Sequence, residues 1–132
     1  MEKDIRQSIT DYRMPRYICE ILCNHYAKAF LDMTIICEND TYIFSYDKKN
    51  KRRLVYRELT EIDKLQLVLT LIMINDNNCQ MLIGAERYLI EPELIYSVRN
   101  RTDYNSIGIL FYPDTTMTPF NIKLIRFMDK IG

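Results

Sequence analysis

The chain has 132 residues, the size of one domain, and its 18 Lys and Arg side chains balance 18 Asp and Glu. A formal net charge of zero gives no overall attraction to nucleic acid or to anionic lipid. The chain has only three Gly and no apolar run of the roughly 18 residues that span a bilayer, which argues against Gly-rich phosphate loops and against membrane insertion.

The cysteines follow neither a disulfide framework nor a zinc-binding spacing; they are Cys19, Cys23, Cys37 and Cys79. No secretory signal precedes them, so we expect reduced, buried thiols in a cytoplasmic protein or in the cytoplasmic part of an anchored one. His25 is the only histidine. The sequence therefore predicts neither a metal site nor a cofactor.

The N-terminal third predicts one helix between less regular segments. Residues 1–12 mix polar and charged side chains without a period, which indicates a loosely ordered start or an edge strand. Ile18, Ile21 and Leu22 then recur at helical spacing, and Pro15 suits the first turn of a helix. We predict a helix over residues 15–27.

Two short β-rich runs follow, at residues 33–37 and 41–46, joined by a tight turn at Asn39 and Asp40. Alternation in the second run places Tyr42, Phe44 and Tyr46 on one face. We interpret this face as part of the core, although exposed aromatic rings on a sheet can also stack on nucleic-acid bases.

A basic run from Lys48 to Arg53 carries five positive charges in six residues. Such a run usually forms a solvated loop, and we predict a turn here with residues 54–56 resuming the sheet. Together with Tyr42 and Tyr46 it defines the alternative function of a nucleic-acid-binding accessory domain.

The longest apolar segment predicts a helix over residues 60–74 that ends at the Asn-rich residues 75–78. Thr60 is a good N-cap, and Asp63 completes a weak capping box. From Leu65 onward this helix is apolar nearly all round, so it is either buried on several sides or part of an interface.

Residues 87–114 predict a hairpin, after a short helix at residues 79–86. Residues 93–98 and 107–112 are rich in β-branched and aromatic side chains, and a polar loop separates them. Thr118 and Pro119 then begin a last helix with an apolar face.

The fold class is therefore α+β, with antiparallel hairpins packed on three to four helices in a single domain of residues 1–132. The end of the chain at Gly132 looks like a domain edge, so we expect a piece of a longer protein.

The segment LIEPELIY, residues 89–96, followed by a strand that ends in FYPD, resembles the catalytic-loop region of protein kinases. It is similar in particular to the degenerate kinase-like domain of bacterial forkhead-associated-domain proteins and of the type VII secretion membrane component. The resemblance implies a truncated kinase-like fold in which Leu89 replaces the catalytic Asp and Leu94 replaces the metal-binding Asn. Asp114 lies just beyond the place of the D-F-G motif.

These substitutions imply a fold without phosphotransfer, because that chemistry depends on the groups that have been lost. We therefore expect a non-enzymatic interaction or scaffold domain of a bacterial signalling or secretion assembly, with a protein partner. Homo-oligomerisation remains open, and a divergent nucleotide-binding enzyme is a further alternative. The predicted contact surface is Tyr-rich and basic, and consists of Tyr42, Tyr46, Arg52, Arg53, Tyr96 and Tyr104.

Overall fold

A computed structural model of the chain describes residues 5–10, 14–113 and 116–132. Within these residues lie three α-helices and two three-stranded antiparallel sheets. The predicted α+β fold class is confirmed. No helix in the described part of the chain is both long enough and apolar enough to cross a membrane.

The first sheet has the strand order β1-β3-β2, with β1 at Ile5–Thr10, β2 at Asp32–Glu38 and β3 at Thr41–Asp47. β1 is an edge strand, one of the two alternatives that the N-terminal sequence left open. The predicted hairpin between β2 and β3 is confirmed. Asn39 and Asp40 both have positive φ angles, of 49° and 64°, which is the backbone twist that two-residue hairpin turns require.

Helix α1, Arg16–Cys23, begins directly after Pro15 and is shorter than predicted. It buries Ile18 and Leu22 on the side that faces β2. The helix ends at Asn24, because the next residue, His25, adopts a left-handed conformation with φ 58° that cannot continue a right-handed helix.

The second sheet has the order β4-β5-β6 and is built from two-residue strands, β4 at Arg52–Arg53, β5 at Tyr96–Ser97 and β6 at Ile107–Gly108. The prediction that residues 54–56 resume the first sheet is wrong. The basic run itself supplies β4, which pairs with β5 of the second sheet, and Tyr56–Glu58 forms a 3-10 turn.

The hairpin predicted within residues 87–114 is present between β5 and β6 but is shorter than expected. Its first arm begins with a 3-10 turn at Pro92–Leu94, because the fixed φ of proline suits the first position of a helical turn. Beyond β6 the chain leaves β5. Ile109 then forms a parallel bridge with Phe30, and Phe111 an antiparallel bridge with Tyr88.

Helix α2, Glu61–Gln80, has the predicted capping box. Thr60 Oγ1 accepts a hydrogen bond from the Asp63 amide, and the Asp63 carboxylate accepts one from the Thr60 amide. The helix continues through the Asn-rich residues that were expected to end it. Asn75 accepts a hydrogen bond from the buried Tyr88 hydroxyl, and Asn78 is itself buried, so tertiary packing overrides the weak helix propensity of asparagine.

Helix α3, Phe120–Ile131, follows Pro119, which occupies the N-cap position predicted for Thr118. The Thr118 hydroxyl pairs instead with the hydroxyl of Thr116, 2.6 Å away. The short helix predicted at residues 79–86 is absent, since its first part belongs to α2 and only Ala85–Arg87 forms a 3-10 turn.

An aromatic cluster lies at the centre of the core and links β3 of the first sheet to Phe30, Tyr88 and the segment that follows β6. Phe111 makes edge-on ring contacts with Phe30 at 5.7 Å and with Phe44 at 6.1 Å between centroids. Tyr88 packs against Phe30 at 5.8 Å. The interpretation of the β3 aromatic face as part of the core is thereby confirmed, because Phe44 and Tyr46 are both fully buried.

Candidate functional site

Two of the six residues predicted to form a contact surface are not on the surface. Tyr46 is 0% exposed and Tyr96 is 2% exposed. Phe44, on the same face of β3 as Tyr46, packs against Phe111, which agrees with the interpretation of this face as part of the core. Tyr46 therefore offers no stacking surface for a nucleic-acid base, and the predicted surface must be corrected.

The other four residues of the predicted surface are divided between separate elements. Tyr42 on β3 and Tyr104 in the β5–β6 loop are half-buried and pack against the core. Arg52 and Arg53 are exposed on β4 of the other sheet. The Arg53 Nε donates a long hydrogen bond of 3.4 Å to the hydroxyl of Tyr96. The predicted residues thus do not form one contact area.

The positions that carry the kinase resemblance contain leucines that contribute to packing. Leu89 and Leu94 are half-buried against the core. Their amides donate hydrogen bonds within the fold, Leu89 to the carbonyl of Leu110 at 3.1 Å and Leu94 to that of Glu91 at 2.9 Å. Asp114 lies outside the described residues.

Leu89 faces a cavity of about 250 Å³, whose described lining also contains Ile90, Glu91, Thr116, Thr118, Lys123, Arg126 and Lys130. Glu91 is the one carboxylate in that described lining, and Lys130 Nζ donates to it at 2.8 Å. Buried Lys123 donates to the main-chain carbonyls of Ala85 and Tyr88. These contacts give Glu91 and Lys123 structural roles, so this cavity does not present an obvious acid–base pair.

Asp32 is the centre of a separate charged group, which shares no residue with the cavity beside Leu89. Its carboxylate contacts His25 Nδ1 at 3.2 Å and accepts a hydrogen bond from Lys49 Nζ. The hydrogen bond from Lys49 is the main reason that the pKa of Asp32 lies below its usual value, and nearby His25 adds to the effect. An open groove of about 530 Å³ lies beside this group, and its lining includes Cys23 as well as His25, Asp32 and Lys49.

This charged group does not form a metal site, since no cluster of three or more His, Cys, Asp or Glu within residues 5–10, 14–113 and 116–132 has suitable geometry. Cys23, Cys37 and Cys79 are exposed, so the expectation of buried thiols is wrong for these three. The Cys19 thiol is half-buried, and burial raises its pKa.

One side of α2 exposes a stripe of apolar side chains to solvent. Leu67, Leu71 and Ile74 face the core. On the opposite side, large apolar side chains are exposed at spacings of three, four and four residues; they are Ile62 (78%), Leu65 (61%), Leu69 (53%) and Met73 (51%). We call these four residues the α2 stripe.

The α2 stripe continues into a shallow groove where α2 meets the C-terminal end of α3. Leu65 and Val68 of α2 form one wall of this groove of about 200 Å³, and Met128 and Ile131 of α3 form the other. The α3 helix also exposes Ile125. Because the groove lining is mainly apolar, with Glu61 and Lys64 at one edge, its chemistry suits an apolar ligand surface rather than a charged substrate.

Sequence reasoning identified α2 as apolar nearly all round and left burial or an interface open. The structure buries one side of the helix and leaves the other apolar side uncovered by any residue that it describes.

Comparisons of the chain with protein-family models, with curated proteins and with solved structures found no match. The arguments for function therefore rest on the residues and their geometry.

Proposed function

We propose that this chain is a non-catalytic, pseudokinase-like protein-interaction domain that binds its partner through the α2 stripe and the adjoining groove. The observation that carries the proposal is the exposure of four large apolar side chains along one helix. Removing apolar surface from water stabilises an association by roughly 25 cal/mol per Å². Covering this exposed stripe with a partner surface therefore favours binding.

The size of the surface supports this proposal. From their fractional exposures, the α2 stripe together with Ile125 and Met128 presents on the order of 600 Å² of surface, at the upper end of the apolar patches of typical monomers. Patches of this size in folded proteins commonly mark interaction sites. The neighbouring groove between α2 and α3 provides a depression into which a partner side chain can insert.

The non-catalytic part of the proposal is supported by the residues at the kinase-like positions. Leu89 and Leu94 cannot exchange a proton or bind magnesium, and phosphoryl transfer requires both functions. Glu91, the carboxylate in the cavity beside Leu89, is paired with Lys130. The resemblance to degenerate kinase-like domains, with their scaffold roles in bacterial signalling or secretion assemblies, fits the same proposal.

Site-specific photo-cross-linking in cells expressing the chain tests the interaction surface. A photo-reactive amino acid in place of Leu69 should give a discrete protein adduct, because this position would lie inside the interface. Ile36 provides a matched control, since it is an exposed apolar residue on β2, outside the α2 stripe. Adducts of equal yield from both positions, or none from position 69, would contradict the proposed surface.

Thermal unfolding with and without Mg-ATP tests the non-catalytic part. A ligand at 100 times its dissociation constant adds about 2.7 kcal/mol to the free energy of unfolding, which raises the melting temperature by several degrees. We expect no shift. A magnesium-dependent shift would indicate a retained nucleotide site and favour the enzymatic alternative.

A further inference from the structure

We propose that the partner on the α2 stripe is a second copy of this chain, with the two α2 helices packed antiparallel across a two-fold axis. This inference rests on the proposed function and specifies the kind of partner. Three properties of α2 support it: the order of its apolar residues, the placement of its charges and the extent of its exposed surface.

The order of apolar residues makes the α2 stripe nearly symmetric about its own midpoint. The stripe reads Ile62, Leu65, Leu69 and Met73, with a nearly regular spacing in both directions. When two such helices run antiparallel, Ile62 of each copy lies opposite Met73 of the other, and Leu65 lies opposite Leu69. A two-fold interface requires this self-complementarity, because the same surface must form both halves.

The centre of α2 contains no charge that such an interface would have to bury. Residues 65–75, with the sequence LQLVLTLIMIN, include no charged side chain. Burial of an unpaired charge costs far more than apolar contacts of this size recover, so a charge-free seam is a requirement for tight packing. In addition, spacings of three and four residues are those of helix seams in which side chains interdigitate.

The charges at the ends of α2 favour the antiparallel orientation. Asp76 lies on the exposed side just beyond Met73, and Glu61 precedes Ile62 at the other end. Both orientations bring acidic side chains together: equivalent carboxylates in a parallel pair, and Asp76 of one copy near Glu61 of the other in an antiparallel pair. The antiparallel pair is favoured because Asp76 then lies beside the first turn of the other α2, where the positive end of the helix dipole stabilises a carboxylate.

The extent of the surface approaches what a stable dimer needs. The apolar side chains of α2 and α3 expose on the order of 600 Å² per copy, and the polar margins of the helices add to this, against about 800 Å² per partner in a standard interface. The 20-residue helix is about 30 Å long, which allows the two stripes to overlap over their full length.

Sedimentation equilibrium over a range of protein concentrations tests the dimer. We expect the unmodified chain to dimerise, and Leu69→Glu to raise the dissociation constant at least about 100-fold, because each interface then contains two unpaired carboxylates. Ile36→Glu is the matched control and should leave the dimer intact. Circular dichroism should show unchanged helix content in both variants, since both positions are exposed.

Charge complementation provides a second and more specific test. A chain carrying Leu65→Glu and Leu69→Glu should be monomeric, and so should a chain carrying Leu65→Lys and Leu69→Lys. An equimolar mixture should form a heterodimer, because position 65 of one copy faces position 69 of the other. If these variants do not fold, a photo-reactive residue at position 62 of the otherwise unmodified chain should link to Met73 of the second copy.

The outcomes separate the dimer from the proposed function. A chain that stays monomeric at high micromolar concentration overturns the dimer. If the cross-linker at position 69 then gives an adduct with a different protein, the interaction domain stands with a different partner. If position 69 gives no adduct at all, both proposals are overturned.

Discussion

The hydroxyl of Tyr46, at the end of β3, donates a hydrogen bond to the main-chain carbonyl of Phe111, which lies 65 residues further along the chain. Both residues are fully buried. This bond joins the first sheet to the segment that follows β6. Burial also raises the pKa of Tyr46 far above its ordinary value, so the hydroxyl keeps its proton and remains a donor.

Tyr46→Phe should lower the free energy of unfolding by about 1–3 kcal/mol. The substitution removes the hydroxyl that donates to the Phe111 carbonyl, and this buried oxygen is then left without that hydrogen bond. Urea denaturation measures the change. Tyr26→Phe is the control, since Tyr26 is largely exposed, and should be neutral. Equal effects for the two substitutions would show that the buried hydrogen bond contributes nothing.

Lys123→Met should destabilise the protein by about 1–3 kcal/mol. The Lys123 ammonium is buried and donates to the carbonyls of Ala85 and Tyr88, and methionine keeps the apolar stem but not the donors. Lys130→Met, which removes only a half-exposed ion pair with Glu91, should cost less than about 1 kcal/mol. If Lys130→Met lowered stability more than Lys123→Met does, Lys123 would not be the lysine that matters more for the fold.

Asp32→Asn should lower stability by less than about 1 kcal/mol at neutral pH, since both partners of Asp32 are at least half exposed. The pKa of Asp32 is lowered in the folded state, so its contribution is present above the unfolded pKa of 3.8. That contribution is lost as the pH falls through the still lower folded pKa. The stabilities of the two proteins should therefore converge in strong acid, and a difference that grows on acidification would contradict this sign.

Leu82→Gly should stabilise the protein by up to about 1 kcal/mol, because Leu82 has a left-handed backbone with φ 59° that glycine adopts without a steric cost. The side chain is 73% exposed, so little burial is lost. The hydrogen bond that Tyr17 donates to the carbonyl of residue 82 does not depend on the side chain. A clear fall in the melting temperature would mean that the leucine side chain makes a contact that matters.

Local signals in the sequence predicted the features that depend on neighbouring residues. The capping box at Thr60 and the tight turn at Asn39 and Asp40 are set by hydrogen bonds and backbone angles within a few positions. Both predictions are confirmed. The extension of α2 through residues 75–78 was missed, because it depends on Tyr88, which is distant in sequence.

The candidate site was only partly predictable for the same reason. The pattern of α2 indicated that an all-round apolar helix must be covered or form an interface. It could not indicate which side is covered, since that depends on where Phe127 and the rest of α3 pack. The Tyr-rich surface was wrong for Tyr46 and Tyr96, because the pattern along a strand does not show how completely other elements cover each side chain.

The position of residues 107–112 also determines when this chain can fold. This segment pairs with β5, bridges Phe30 and Tyr88, and accepts the hydrogen bond from Tyr46. Its contacts with Phe30 and Tyr46 join residues that are far apart in sequence, and the long loops between them must close before these contacts form, which slows folding. During synthesis, the first three strands and α1 therefore cannot complete their packing until the last third of the chain is made. Until then the aromatic face of β3 has no cover, and the nascent chain is at its most vulnerable to aggregation.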